Sequence, residues 1–320
     1  MAKEDRMSDE LFGWVDDPAE VETVVARMRY PVAGLAMSHD FLATAGEHRD
    51  VMLWKLEEQL LGKTLPAHRQ TIGDCVSHGW GKAVQLLVYR EHLLAGTPPD
   101  QVLDIATEPI YGFSRVEVGR GRLGNGDGSI GAWAAEAVLK YGNLERKRYS
   151  NIDLTTYSGS LAKRWGSPRS GVPDELEPTA AKHIVAMAPL VVSEDETKAA
   201  LYNGYPIPVC SGQGFITTRD RYGFCDPRGS WRHCMCSVGI VEAKRGSGFV
   251  LAVPIQQSWG NSPTGPDEFE TRDGQTHKLP QGCFLIEFDV FLRMLKGRDS
   301  FAPAGPQGFV KLPEFIFGPH

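Results

Sequence analysis

Four side chains in this sequence could together cleave an amide bond. The thiol of Cys75 stands just ahead of an apolar-rich run, Val76–Leu94. At a helix N-terminus the free backbone N–H groups and the macrodipole favour a thiolate. A thiol so placed can fall from a pKa near 8.5 to roughly 3.5–7.5, most of all beside a protonated imidazole. Gln70, five residues earlier, carries an amide that could donate to the oxyanion formed when a thiolate attacks a carbonyl. The Cys75 N–H would be the second donor, and losing one such donor typically costs about 2.7–4 kcal/mol of transition-state stabilisation. His233 opens the run HCMCSVGIVEA, 158 residues downstream, so any contact with Cys75 is tertiary. Beyond it, IQQSWGNSPTG supplies side-chain amides that could orient an imidazole through Nδ1–H, with Trp259 to shield that bond from water. Each signal also has an ordinary explanation: a buried structural cysteine, a solvated loop glutamine, a hydrogen-bonded histidine at a strand start.

The elements that must position these groups divide the chain. Helix patterns dominate the first half. Pro18 followed by Ala19–Met28 predicts one helix, with Pro18 near the first position. Glu47–Leu61 predicts another, with Leu53, Leu56 and Leu60 on one face and a stop at Gly62. The run after Cys75 puts Trp80, Val84, Leu87 and Val88 on one helical face and ends at Gly96, Pro98 and Pro99. A Gly-rich loop, Gly119–Gly128, leads to a helix with Ser129 as its N-cap, Trp133, Ala137 and Val138 as a face, and Gly142 as its stop. Thr155–Pro178 is Ser/Gly/Pro-rich and reads as a long loop. Ser193 and Glu196 form a capping box for a helix running to Asn203–Gly204. From there the period becomes two, and Tyr205–Cys210, His233–Glu242, Phe249–Gln256 and Cys283–Phe288 read as strands. Helices first and strands second predict an α+β chain, a helical lobe against a mostly antiparallel β lobe.

The order Gln, Cys at a helix start, His on a strand, then an amide before Ser-Trp-Gly resembles the papain-like cysteine peptidases, in a divergent bacterial or phage-type form. The resemblance is carried by QTIGDC (Gln70–Cys75), RHCMCSVGI (Arg232–Ile240) and QSWG (Gln257–Gly260), with support from GDGSIGAWAAEAVLKYG (Gly126–Gly142) and ALYNGYPIPV (Ala200–Val209). It covers roughly residues 65–290. It implies a two-lobed fold, with the nucleophile helix in a helical left lobe and a β-barrel-like right lobe. It also implies Cys75 as nucleophile, His233 as general base and later acid, Gln70 as side-chain oxyanion donor, and Gln257 where the family usually has the Asn that orients the histidine. Three positions depart from the pattern. Gln70 is five rather than six residues before the cysteine, with Arg69 in the usual slot. Gln257 is one methylene longer than Asn, with Asn261 as an alternative orienter. Val76 replaces the usual aromatic after the nucleophile.

Composition narrows the partners. A net charge of −6 argues against nucleic acid, whose phosphates need a basic surface. No apolar stretch approaches the roughly 20 residues that span a bilayer, and MAKEDRMSDELFGW lacks a secretory pattern. Cys75, Cys210, Cys225, Cys234, Cys236 and Cys283 are too scattered for a disulfide scaffold and predict thiols in a reducing cytoplasm. Cys225, His233, Cys234 and Cys236 lack the paired knuckles of a zinc site. GRLGNGDGS lacks the Gly-Lys-Ser/Thr ending of a phosphate loop. Asn125, Asp127, Ser129 and Glu136 have calcium-loop offsets, but Ile130 replaces the needed Gly. Neither metal nor cofactor is expected. Tyr111, Phe113, Trp133 and Tyr141 read as core. Residues 1–62 are expected to form a helical N-terminal extension to a domain of residues 63–320. That extension is either integral or a pro-segment removed before LPAHRQ. The expected activity is amide hydrolysis on a protein or peptide substrate through a Cys-His thioester. The alternatives are acyl transfer from the same thioester, or an inactive fold serving with assembly partners, for instance in a phage particle, which would make it virion-associated.

Overall fold

The computed structural model describes residues 11–30, 46 and 48–309. Its left lobe is organised by one helix, α3 (Cys75–Ala95), flanked by α1 (Pro18–Val25), α2 (Lys55–Leu61), α4 (Thr107–Phe113) and α5 (Gly131–Lys140). The expected apolar face of α3 is there, but burial extends to Val76, Ser77, His78, Gln85 and Leu86 as well. It is therefore a central helix, covered on several sides. It ends at Gly96, whose φ of 66° forms the left-handed cap bonded to His92 and Leu93 carbonyls.

Helix α5 presents Trp133, Ala137 and Val138 to the core as predicted. Its cap is different. Ile130 holds the N-cap position, and the Ser129 hydroxyl faces the Ser114 hydroxyl at 3.0 Å. The first N–H groups, of Gly131 and Ala132, instead donate to the carboxylate of Asp299, both at 2.6 Å. A side chain 167 and 168 residues away in sequence has taken the capping role. The Gly-rich loop ahead of α5 is held by Arg115, whose guanidinium donates to the carbonyls of Gly124, Gly126, Gly128 and Gly166. The segment read as a loop from Thr155 to Pro178 contains a helix, Gly159–Trp165, capped by Ser158. Burial of Ala162 and Trp165 outweighs the Ser/Gly/Pro composition around them.

The right lobe is a six-stranded antiparallel sheet. Its strands are β1 (Val51–Met52), β2 (Ile207–Phe215), β3 (Pro227–Ser237), β4 (Gly239–Arg245), β5 (Gly248–Gln256) and β6 (Cys283–Glu287). The order is β1-β4-β5-β3-β2, with β6 also paired to β5. The run His233–Glu242 is thus two strands, separated at Val238. The break sits at Gly239, where a Cβ would lie 2.0 Å from the Val51 carbonyl oxygen. Only glycine admits that approach. Helix α6 (Glu194–Tyr202) carries the complete Ser193–Glu196 capping box, and α7 (Phe288–Met294) packs behind the sheet.

The expected division at residue 62 does not follow the packing. β1 pairs with β4, α2 lies on α3, and Leu53, Trp54 and Leu60 are buried. Glu57, fully buried, pairs with Lys82 of α3 and accepts from the Leu65 N–H. Residues 51–61 therefore belong to the body of the fold. The predicted helix over Glu47–Leu61 is shortened because the edge of β4 recruits Val51–Met52 as a strand; Glu47 lies outside the described residues. Helix α1 begins at Pro18 as predicted, capped by Asp17, but closes by Ala26. Among the described residues no helix is long and apolar enough to cross a membrane, and no group of three or more His, Cys, Asp or Glu converges as a metal site. All six cysteines are free and buried.

Candidate active site

The start of α3 meets β3 between the lobes. Cys75 is the first helical residue, and its Sγ accepts from the Cys234 N–H at 3.4 Å. Asp74, the N-cap, does not cap with its side chain. Its Oδ2 accepts from the Tyr157 hydroxyl at 2.9 Å and lies 3.4 Å from His78 Nε2. His78 Nδ1 in turn faces His68 Nδ1 at 3.1 Å. His68 is held neutral by burial and by His78, and this chain ties the Gln70 loop to the start of α3.

The Gln70 side chain is buried, with both amide atoms bonded. Its Oε1 accepts from the Ser258 hydroxyl at 2.5 Å, and its backbone N–H donates to the Ser258 carbonyl at 2.9 Å. These two bonds join QTIGDC to QSWG. Its Nε2 donates to the carbonyls of Ile72 at 2.8 Å and Leu11 at 2.9 Å. His233, next to Cys234 on β3, stacks on Trp259 with centroids 4.1 Å apart.

Two expected contacts are not made in this state. Neither ring nitrogen of His233 has a hydrogen-bond partner, so the thiol and the imidazole are not bonded to each other. Gln257 donates Nε2 to the Ser262 carbonyl at 2.8 Å, while its buried Oε1 is unpartnered. Asn261 accepts from Gln281 instead of the imidazole.

A segment with little local signal in the sequence packs against the same groups. Residues 12–15 run as a strap between the lobes. The Leu11 carbonyl sits on Gln70 Nε2. Ser129 N–H donates to the Gly13 carbonyl at 2.8 Å, Val15 N–H to the Ser129 carbonyl at 2.9 Å, and Trp14 N–H to the Arg232 carbonyl at 3.0 Å. Phe12 packs against Trp259 and Trp231, at centroid distances of 5.7 and 6.3 Å. The one local signal was LFGWV itself, an apolar aromatic run around a glycine within a charged N-terminus.

Electrostatics match a closed site. Burial, reinforced by the nearby Cys234 thiol, pushes the Cys75 thiol far above its ordinary range, and the N–H groups of Cys234 and Gly13 oppose this without offsetting it. Burial, and behind it His78, pushes His233 down to about 3. Each shift disfavours the charged form, so both partners are neutral.

No protein-family model and no curated protein sequence matches the chain. Solved structures do. Xylellain, a cysteine protease from Xylella fastidiosa, is similar over 95% of this chain and 99% of its own, with a TM-score of 0.57 at 15% identity. Procathepsin B from Trypanosoma congolense is similar over 94% of this chain and 88% of its own, with a TM-score of 0.52 at 13% identity. The chain has the α+β, two-lobed fold of the papain-like cysteine proteases.

Proposed function

We propose that this chain is a cysteine peptidase held in a latent state by its own residues 11–15. One observation carries the reading: the cleft is already occupied by a peptide segment, with the Leu11 carbonyl on Gln70 Nε2 and the Gly13 carbonyl and Val15 N–H paired to Ser129. A groove that binds one extended backbone beside a helix-terminal thiol is suited to bind another and attack it.

Once the strap leaves, water reaches both groups. The Cys75 pKa falls, the His233 pKa rises, and the proton passes from sulfur to imidazole. The thiolate adds to a substrate carbonyl carbon, and the oxyanion is held by Gln70 Nε2 and the Cys75 N–H. The C–N bond breaks as His233 gives its proton to the leaving amine. Water, deprotonated by His233, then hydrolyses the thioester and restores the thiol. Gln257 Oε1 and His233 Nδ1 are both buried without partners. Pairing them would satisfy both atoms and fix the imidazole, so Gln257 is assigned the positioning role.

Two measurements follow on protein freed of the strap. Gln70→Ala is expected to lower kcat about 10²–10³-fold with little change in KM, since the lost donor acts on the oxyanion. Gln257→Ala is expected to reduce kcat/KM roughly tenfold and shift the alkaline limb of the pH profile, with Gln257→Asn restoring most of it. A profile unmoved by Gln257→Ala would remove that residue from the site.

An inactive fold is the competing reading, favoured by the unbonded, neutral thiol and imidazole. An epoxide or vinyl-sulfone probe separates the two. The peptidase reading requires labelling at Cys75 once the strap is displaced; a chain that stays unlabelled with the cleft open is a scaffold.

A further inference from the structure

The strap fills the cleft with a side chain as well as a backbone. Trp14 is 4% exposed and lies in a pocket walled by the left-lobe core and closed on one side by Gly297, where a Cβ would come within 3.2 Å of the indole. At its floor is Asp299, 1% exposed, whose Oδ2 accepts from Trp14 Nε1 at 2.8 Å. We infer that this pocket is the specificity subsite of the peptidase, and that Asp299 makes it select a bulky substrate side chain that donates an N–H, an indole or a guanidinium.

The backbone argument comes first. Besides its indole bond to Asp299, Trp14 is placed by main-chain bonds, its own N–H to Arg232 and its neighbours' bonds to Ser129. Any extended peptide that displaces the strap has the same groups to offer, and so delivers one of its side chains to this pocket.

The floor argument follows. Asp299 is pinned by the Gly131 and Ala132 N–H groups at the start of α5, so it cannot turn to water when Trp14 departs. Burial raises the Asp299 carboxyl to about 7, opposed by the N–H groups of Trp14, Gly131 and Ala132; an apolar occupant would remove one of these donors, a penalty corresponding to about tenfold or more in affinity. An acidic occupant would add like-charge repulsion. A guanidinium supplies N–H groups and charge together.

The inference rests on the peptidase reading, and its test has an arm that does not. In the full chain, the strap is itself the pocket's ligand, and its release is read by alkylation of Cys75 with iodoacetamide, mapped by mass spectrometry. Trp14→Phe removes the N–H and keeps the ring; labelling is expected to quicken about tenfold or more. Trp14→Arg is expected to label more slowly than Trp14→Leu, and Asp299→Asn to narrow that difference. Labelling of Trp14→Phe at the wild-type rate, or of Trp14→Arg as fast as Trp14→Leu, overturns the inference without recourse to any Asp299 variant. In the second arm, strap-released protein is given fluorogenic peptides varied one position at a time. Trp or Arg is expected to exceed Phe or Leu at least tenfold in kcat/KM at one position; equal rates overturn the inference. If the first arm behaves as stated and no peptide is cleaved, the donor-selecting pocket stands and the peptidase reading falls.

Discussion

Gly13→Ala is expected to unlatch the cleft and raise the rate of Cys75 alkylation by about 10²-fold. A Cβ at residue 13 would lie 1.9 Å from the Gly73 carbonyl oxygen and 2.3 Å from its carbon, far inside contact distance. Gly73 is backbone in the short loop between Gln70 and α3, fixed by bonds on either side, among them Asp74 N–H to the Ile72 carbonyl and Gln70 to Ser258. That loop cannot yield without dismantling the site, whereas the strap can leave. Overpacking of this kind costs typically about 1–3 kcal/mol and more where relaxation is blocked; it strikes the residue whose carbonyl accepts from the Ser129 N–H.

The pH dependence gives this result a second signature. Burial raises the thiol pKa in the closed state, so below that raised value the sulfur stays protonated and unreactive. Labelling of the wild-type chain should therefore keep rising with pH through 9 without a plateau. In Gly13→Ala the thiol is solvated at a helix N-terminus, its pKa falls, and the rate should level off at or below the ordinary thiol value near 8.5. An unaltered thermal midpoint would show that the strap, and not the domain, has been released. Wild-type labelling kinetics in Gly13→Ala would mean that the strap does not guard the site.

In the strap-released protein, Cys75→Ala and His233→Ala are each expected to lower amide hydrolysis by about 10⁴-fold or more. Groups that act as one unit are strongly non-additive, so the double variant should be little worse than either single one. The two differ in another readout. Cys75→Ala loses the site of labelling altogether. His233→Ala keeps the thiol but loses its proton acceptor, so alkylation should persist with its midpoint moved toward the unassisted thiol. Neither change should unfold the chain: the Cys75 side chain makes no bond that α3 needs, and the His233 ring makes no hydrogen bond. Undiminished hydrolysis in Cys75→Ala would end the enzymatic account.

Much of the site was legible because the relevant signals are local. A cysteine opening a long apolar helix, a glutamine just before it, and a histidine leading a strand are patterns of neighbouring residues, and α3, α5, the α6 capping box and the main strands followed from periodicity and end signals. The errors were places where a distant group overrode a local preference. Ser129 is a good cap by type, yet Asp299 reaches α5 first. Glu47–Leu61 has helical spacing, yet the open edge of β4 at Gly239 claims Val51–Met52. Thr155–Pro178 has a loop's composition, yet burying Trp165 makes a helix worthwhile.

What the sequence determined by itself was therefore the chemistry at hand and the elements that carry it, since backbone propensity, capping and apolar spacing act over a few residues. Which groups meet was decided only in three dimensions. The strap lies 62 residues from the thiol it covers, and Asp299 is 285 residues from the indole it binds. Loop closure over such separations leaves no periodic trace in the chain. The closed, neutral state of Cys75 and His233 is likewise a property of the assembled cleft, because it is burial, not residue type, that sets their charge.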